Sequence, residues 1–137
     1  MNTPIDVVLQ FEQAINSRNP GAICSLMTGD GEFIDSLGNR IQGTQKVRAA
    51  WTAYFKMVPD YSISHAEILA DGNVVAVFGS AQGTFSKDGQ LAKDNFWKTP
   101  AAWRAIVEEN KIAVWQVFAD NEPIRALMRK SVSAVAS

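Results

Sequence analysis

His65 is the only histidine of the chain and Cys24 the only cysteine, and between them they limit the chemistry the sequence can hold. A serine-histidine-aspartate relay would have to pass through His65, and no second histidine is present to build a common metal site. His65 alternates with Tyr61, Ile63, Glu67 and Leu69 on one strand face, a placement that suits a structural or exposed ring as well as a catalytic one. Cys24 falls among Ala22, Ile23, Leu26 and Met27, where a buried, inert thiol is expected. Gly29-Asp30-Gly31 and the segment from Gly79 to Gly83 lack the lysine and strand-to-helix context of a phosphate loop, and no Gly-x-Ser-x-Gly elbow occurs. Nucleotide, metal and serine-hydrolase readings are weak, so no metal and no cofactor is expected. Aromatic residues are plentiful instead. Trp51, Tyr54, Phe55, Phe78, Trp97, Trp103, Trp115 and Phe118 supply material both for a core and for an apolar ligand wall. Arg104 would bind an anionic group if it points inward, or pair with an acid such as Glu108 on the outer face.

Positioning these residues falls to a recognisable run of elements. Thr3-Pro4-Ile5-Asp6 offers a capping hydroxyl, a proline for the first turn and an early acid, after which Val8, Phe11 and Ile15 recur at helical spacing. Asn19-Pro20 restarts a short helix whose apolar stripe is Ala22, Ile23, Leu26 and Met27. Residues 32–37 read as a strand turned by Gly38-Asn39, and a third helix runs from Gly43-Thr44 to Pro59 with Val47, Trp51, Tyr54, Phe55 and Val58 along one side. From Tyr61 the period becomes two, giving strands at 61–70, 73–86, 95–108 and 111–119 with hairpin turns at Asp71-Gly72, Asp88-Gly89 and Glu109-Asn110. Asn121-Glu122-Pro123 starts a terminal helix, with Asn121 as its cap, and the small residues 131–137 are expected to fray. The result is one α+β domain over residues 1–137, ordered from about 3 to 130, with a mostly antiparallel sheet.

Composition narrows the partners. Thirteen Lys and Arg stand against fourteen Asp and Glu, and no basic stripe is present, which argues against nucleic acid. The longest unbroken apolar stretch, Val74 to Phe78, is too short to span a bilayer, so no membrane partner is expected. Asp6, Gln10 and Glu12 fall within the first dozen residues, unlike a secretory signal, and a cytoplasmic location is the expectation.

The order of elements, together with Phe33-Ile34-Asp35, Ile41-Gln42-Gly43, Trp51-Thr52-Ala53-Tyr54-Phe55 and Phe118-Ala119-Asp120-Asn121, resembles the nuclear transport factor 2-like superfamily. Within it, the chain looks most like the polyketide-cyclase (SnoaL-like) and ketosteroid-isomerase-like branches. The resemblance implies a cystatin-like α+β roll, a cone in which a curved, mostly antiparallel sheet wraps the N-terminal helices and leaves a pocket at its open end. It places Asp35 where the isomerase-like branch carries its proton-shuttling carboxylate, and Asp120 where the cyclase-like branch carries an acid. An apolar pocket would raise the pKa of Asp35 and improve it as a base, while a turn-capping or solvated strand-end acid is the alternative. Asp120 has the alternative of capping the last helix. Phe11 and Ala102 stand where the resemblance puts the two oxyanion donors of steroid isomerases, which argues against that reaction. The expected site comprises Asp35, Asp120 and His65 as candidate catalytic groups, with Phe11, Ile15, Trp51, Tyr54, Phe55, Phe78, Ala102, Trp103, Arg104 and Phe118 around a small apolar molecule. A cofactor-free isomerase, cyclase or dehydratase, a non-catalytic binder and a dimeric interaction module are the three functions considered. The sheet face turned away from the pocket is the expected homodimer contact.

Overall fold

The computed structural model describes residues 2–87 and 90–136, with side chains at 2–86 and 93–130; the Asp88-Gly89 turn lies outside the described residues. Thr3 opens the first helix, its hydroxyl accepting the Asp6 N–H at 3.1 Å while the Asp6 carboxylate accepts the Thr3 N–H at 3.0 Å. This reciprocal cap, with Pro4 behind it, starts α1 (Pro4–Asn16). The Asn19 side chain caps α2 (Pro20–Ser25). Met27, expected on the stripe of that helix, instead opens β1 (Met27–Ile34): the Leu26 carbonyl accepts the Ile112 N–H at 2.8 Å and draws the chain into the sheet. The strand expected at 32–37 is thus longer at its start and stops at Ile34, because Asp35 begins a tight turn through Gly38, at φ 86°, into β2 (Arg40–Gln42). Then follow α3 (Thr44–Met57), β3 (Ser62–Asp71), β4 (Val74–Lys87), β5 (Gln90–Glu108), β6 (Lys111–Ala119) and α4 (Glu122–Ala136), the last continuing through the stretch expected to fray. Glu109 and Asn110 both take positive φ, as the tight turn between β5 and β6 requires.

Among the described residues six strands form an open, curved sheet in the order β2-β1-β6-β5-β4-β3. Only β1 and β6 run parallel, and every other neighbouring pair is antiparallel. The fold is α+β, with α1 laid across the inner faces of β3 to β6. Val7, Val8, Phe11, Ala14 and Ile15 of α1 are buried there, and the Phe11 ring meets Trp115 at 4.8 Å. Trp115 in turn stacks on Trp103 at 6.1 Å. Side chains of this kind stabilise by about 1.5–3 kcal/mol each when fully buried. Asn16 fastens the end of α1 to β3, donating to the Ile63 carbonyl at 2.9 Å and accepting the Ile63 N–H at 2.8 Å.

One irregularity changes which residues share a face. His65 pairs with Gly79 but Glu67 pairs with Phe78, so Ala66 is an extra residue in β3. Beyond this bulge Glu67 and Leu69 stand outside with Phe78, rather than sharing the face of buried Tyr61 and Ile63 as strict alternation predicts. The bulged strand also comes very close to β4: a Cβ at Gly79 would lie 1.9 Å from the Ser64 carbonyl oxygen. Gly79→Ala is therefore expected to destabilise the fold by about 1–3 kcal/mol, as overpacking does, read as a lower urea midpoint with an unchanged slope. An unchanged midpoint would show that the strands are not so close.

Candidate functional site

Helices α1 and α2 fill one end of the concave face, and α3 covers the other less completely. Between α3 and the strands β1, β4, β5 and β6 lies a cavity of about 320 Å³, in the size range of small-molecule pockets. Helical spacing sets Ala50, Trp51 and Tyr54 of α3 toward it, and strand alternation adds Phe33, Ala81, Val117 and Ala119, with Trp97 and Thr99 both on the inward face of β5. The Trp51 ring lies 5.5 Å from Phe33 and 6.4 Å from Tyr61. Tyr61 meets Tyr54 edge-on at 5.0 Å and Trp97 at 6.1 Å. An unbroken aromatic wall thus runs from β1 to β5, facing small aliphatic side chains. The buried Trp97 indole N–H has no acceptor among the described residues.

Asp35, Ser36, Thr99 and Asn121 supply the polar part of the lining. One Asp35 carboxylate oxygen accepts the N–H groups of Leu37 and Asn39, both at 2.9 Å, and the other accepts the Asn39 side-chain amide at 3.1 Å. Partial desolvation pushes the Asp35 carboxyl up, but the hydrogen bonds from Asn39, Leu37 and Gly38 together outweigh it and hold the pKa below its ordinary value. This corrects the expectation of a raised pKa. Asp35 lines the cavity and also caps the turn, and it is an anion there. Tyr54 and Tyr61 move the other way: burial pushes both phenols up, so they remain neutral hydroxyl donors.

At the start of α4 the two neighbouring residues exchange their expected places. Asp120 accepts the Glu122 N–H at 2.9 Å and is exposed, a capping role, whereas the Asn121 amide lines the cavity and donates to the Ser36 hydroxyl across the end of β1. Asp35 and Asp120 therefore do not share the cavity, because successive residues leaving a strand point to opposite sides.

Other expected positions are corrected by packing and strand parity. Phe11 and Ile15 are fully buried in the core beneath α1, and Trp103 lies against Trp115, so none of the three lines the cavity. Phe55 stacks on the Trp51 ring at 5.3 Å and supports the wall from behind. Phe78, Ala102 and Phe118 are cross-strand neighbours on the outward face, with Arg104 one step along it. Arg104 is exposed and makes no ion pair among the described residues, with Glu108 or otherwise. His65 pairs with Glu12 of α1, Nδ1 to Oε2 at 2.8 Å, away from the cavity lining. Cys24 is buried, and burial pushes its thiol pKa up. Among the described residues no cluster of three His, Cys, Asp or Glu could hold a metal ion, and no helix is long and apolar enough to cross a membrane.

Sequence reasoning missed the polar residues Ser36, Thr99, Tyr61 and Asn121 of the cavity, and also the apolar Phe33, Ala50, Ala81, Val117 and Ala119. Thr99 was legible, since it alternates with Trp97 and Ala101. Ser36 and Asn121 carry no local signal, because they meet only when β1 and β6 pair.

The SnoaL-like domain matches residues 8–121, which holds every cavity-lining position. This chain belongs to the SnoaL-like domain family. No curated protein matches the SnoaL-like chain in sequence. Among solved structures it is similar to a hypothetical protein of Catenulispora acidiphila with a ketosteroid isomerase-like fold, in complex with trimethylamine, at 17% identity and TM-score 0.77 over 91% of this chain and 92% of that one. A candidate SnoaL-like polyketide cyclase of Shewanella denitrificans is similar at 12% identity and TM-score 0.78, over 93% and 97%. AclR of Streptomyces galilaeus, a candidate hydroxylase, is similar at 14% identity and TM-score 0.74, over 93% and 96%. At these identities the likeness is one of fold.

The lowered Asp35 pKa has a measurable consequence. Its stabilising effect is fully present above the ordinary carboxyl value of 3.8 and fades as pH falls through the lower folded-state value. The stability difference between the wild type and Asp35→Asn is accordingly expected to be largest near neutral pH and to shrink below about pH 4. A difference that grows on acidification would mean a raised pKa instead.

Proposed function

We propose that this chain is a small-molecule pocket protein that takes a small, largely apolar organic molecule between α3 and the concave face of the sheet. The observation that carries this reading is the cavity itself: about 320 Å³, walled by Phe33, Trp51, Tyr54, Tyr61 and Trp97, with Asp35 as the one carboxylate in its lining among the described residues. The fold is one that polyketide cyclases, hydroxylases and isomerases use, and the Catenulispora acidiphila protein of this fold is in complex with a small organic molecule, trimethylamine. Fold alone does not confer chemistry.

A second reading has a specific observation behind it. Asp35 and two neutral tyrosine hydroxyls line one cavity, so a carbonyl compound held there would have a proton acceptor beside its α-carbon and O–H donors for the enolate oxygen. The turn hydrogen bonds make Asp35 a weaker base than burial alone would, which places binding first and proton transfer second. The bicyclic ketone 2-tetralone tests both. Wild type and Asp35→Asn are expected to bind it, and Ala50→Phe, which fills the cavity from α3, to bind it at least about tenfold more weakly. Equal binding by the Ala50→Phe variant would place the ligand elsewhere and remove the reading. In D2O, Asp35-dependent exchange of the ketone's α-protons would support the catalytic reading, and exchange that survives Asp35→Asn would exclude Asp35 as the base.

The partner proposed for the outward sheet face is a second copy of the chain. Leu69, Phe78, Phe96 and Phe118 are exposed there, about half of each surface open to solvent, and an apolar patch of this kind often marks a contact face. Sedimentation is expected to show a dimer for the wild type and a monomer for Phe118→Asp; a monomeric wild type would rule the dimer out.

A further inference from the structure

The charges in the described lining of the cavity are one-sided: Asp35 is its ionised side chain, and Arg18, which donates to the Tyr61 carbonyl at 3.3 Å, is not among the lining residues. Among the described residues the Asp35 carboxylate receives hydrogen bonds from Leu37, Gly38 and Asn39, all neutral donors, and it belongs to no ion pair. Among the described residues no Lys, Arg or His lines the cavity. The nearest arginine in sequence, Arg40, is bound to Glu32 at 2.8 Å, and Arg48 and Lys56 line a shallow depression on another side of α3. Among the described residues, therefore, no cationic side chain balances the carboxylate at the cavity.

The wall facing that charge has the same preference. Aromatic rings carry negative potential on their faces, and a cation within about 6 Å of a ring centroid is attracted by about 0.5–2 kcal/mol, most strongly by tryptophan. Two tryptophans and two tyrosines lie together here. Tyr54 stands nearly perpendicular both to Trp51, at 88°, and to Tyr61, at 87°, so the rings present their faces in several directions rather than as one stack. The tyrosines stay neutral because burial raises their pKa values, which keeps them donors and ring walls rather than further anions. An anionic ligand would meet repulsion from Asp35 and the ring faces, and among the described lining residues only neutral donors, with no cationic side chain, would offset its desolvation.

We propose that the cavity selects for positive charge, and that its ligand carries a substituted ammonium group held between the Trp51–Tyr54–Tyr61–Trp97 wall and the Asp35 carboxylate. This rests on the reading of the cavity as a small-molecule site and adds the sign of the ligand. A methylated or alkylated amine fits better than a bare ammonium ion, because its apolar shell lowers the cost of leaving water while its charge is still felt by the rings.

The test compares choline with 3,3-dimethyl-1-butanol, which have the same shape and the same hydroxyl and differ in the charge of the central atom. Dissociation constants come from NMR titration at neutral pH. Wild type is expected to prefer choline by about tenfold or more, and Asp35→Asn to reduce that preference to about threefold or less, the remainder being owed to the rings. Trp51→Phe, which keeps an aromatic ring with a weaker face, is expected to lower choline affinity while leaving that of the neutral alcohol within about twofold. Equal affinities for the two probes, a preference for the alcohol, or a choline preference unchanged in Asp35→Asn each overturn the proposal. If 2-tetralone still binds in a protein that shows no choline preference, the charge selection falls while the pocket reading stands. If no probe binds, both fall.

Discussion

The seating of Phe11 and Ile15 of α1 against Trp115 and its neighbours is the constraint on which the rest of the structure depends. A long curved β4–β5 pair presents a concave apolar face that must be covered, and three short helices are all that the first half of the chain provides. Once α1 and α2 have filled one end, α3 has to span the other from a fixed starting point at Gly43. It meets the sheet through large rings, Trp51 and Tyr54, set opposite Ala81, Val117 and Ala119. Rings on one wall and small side chains on the other leave space between them. The cavity is thus a product of how the core is shared out along the sheet.

The same packing explains why the expected oxyanion position at Phe11 is not part of the site. Its ring is consumed by the Trp115 contact and has no exposed surface. The available hydroxyls come instead from α3 and the residue just before β3, as Tyr54 and Tyr61. Asp35 has a double duty that follows from its position: it ends β1, so its carboxylate must hold the turn to β2 together, and it also borders the cavity. Those turn hydrogen bonds keep it ionised, and that fixed anion sets the sign of the surrounding potential.

Much of the architecture was legible in the sequence because periodicity and capping are local. Thr3-Pro4 and Asn19-Pro20 mark two helix starts directly, and the alternation of Trp97, Thr99, Ala101 and Trp103 put all four on one strand face. What alternation could not decide is which face is inward; the structure buries that row and turns Ala102 and Arg104 outward. The bulge at Ala66 was invisible for a similar reason, since an extra residue in one strand is defined by its partner. Met27 looked helical because it continued the stripe of a helix that in fact stops at Ser25 to let Leu26 pair with β6. The Ser36–Asn121 contact joins residues 85 apart, so no local pattern could reveal it.

The central claim is that the space between α3 and the sheet, rather than the core or the outer face, receives the ligand, and the four tryptophans report on it independently. Trp51 and Trp97 line the cavity, whereas Trp103 and Trp115 are packed into the core. The most direct measurement follows their four indole N–H resonances during titration with 2-tetralone. The account predicts saturable shifts for Trp51 and Trp97 with Trp103 and Trp115 little changed. Shifts confined to Trp103 and Trp115, or four unmoved signals at saturating ketone, would contradict it.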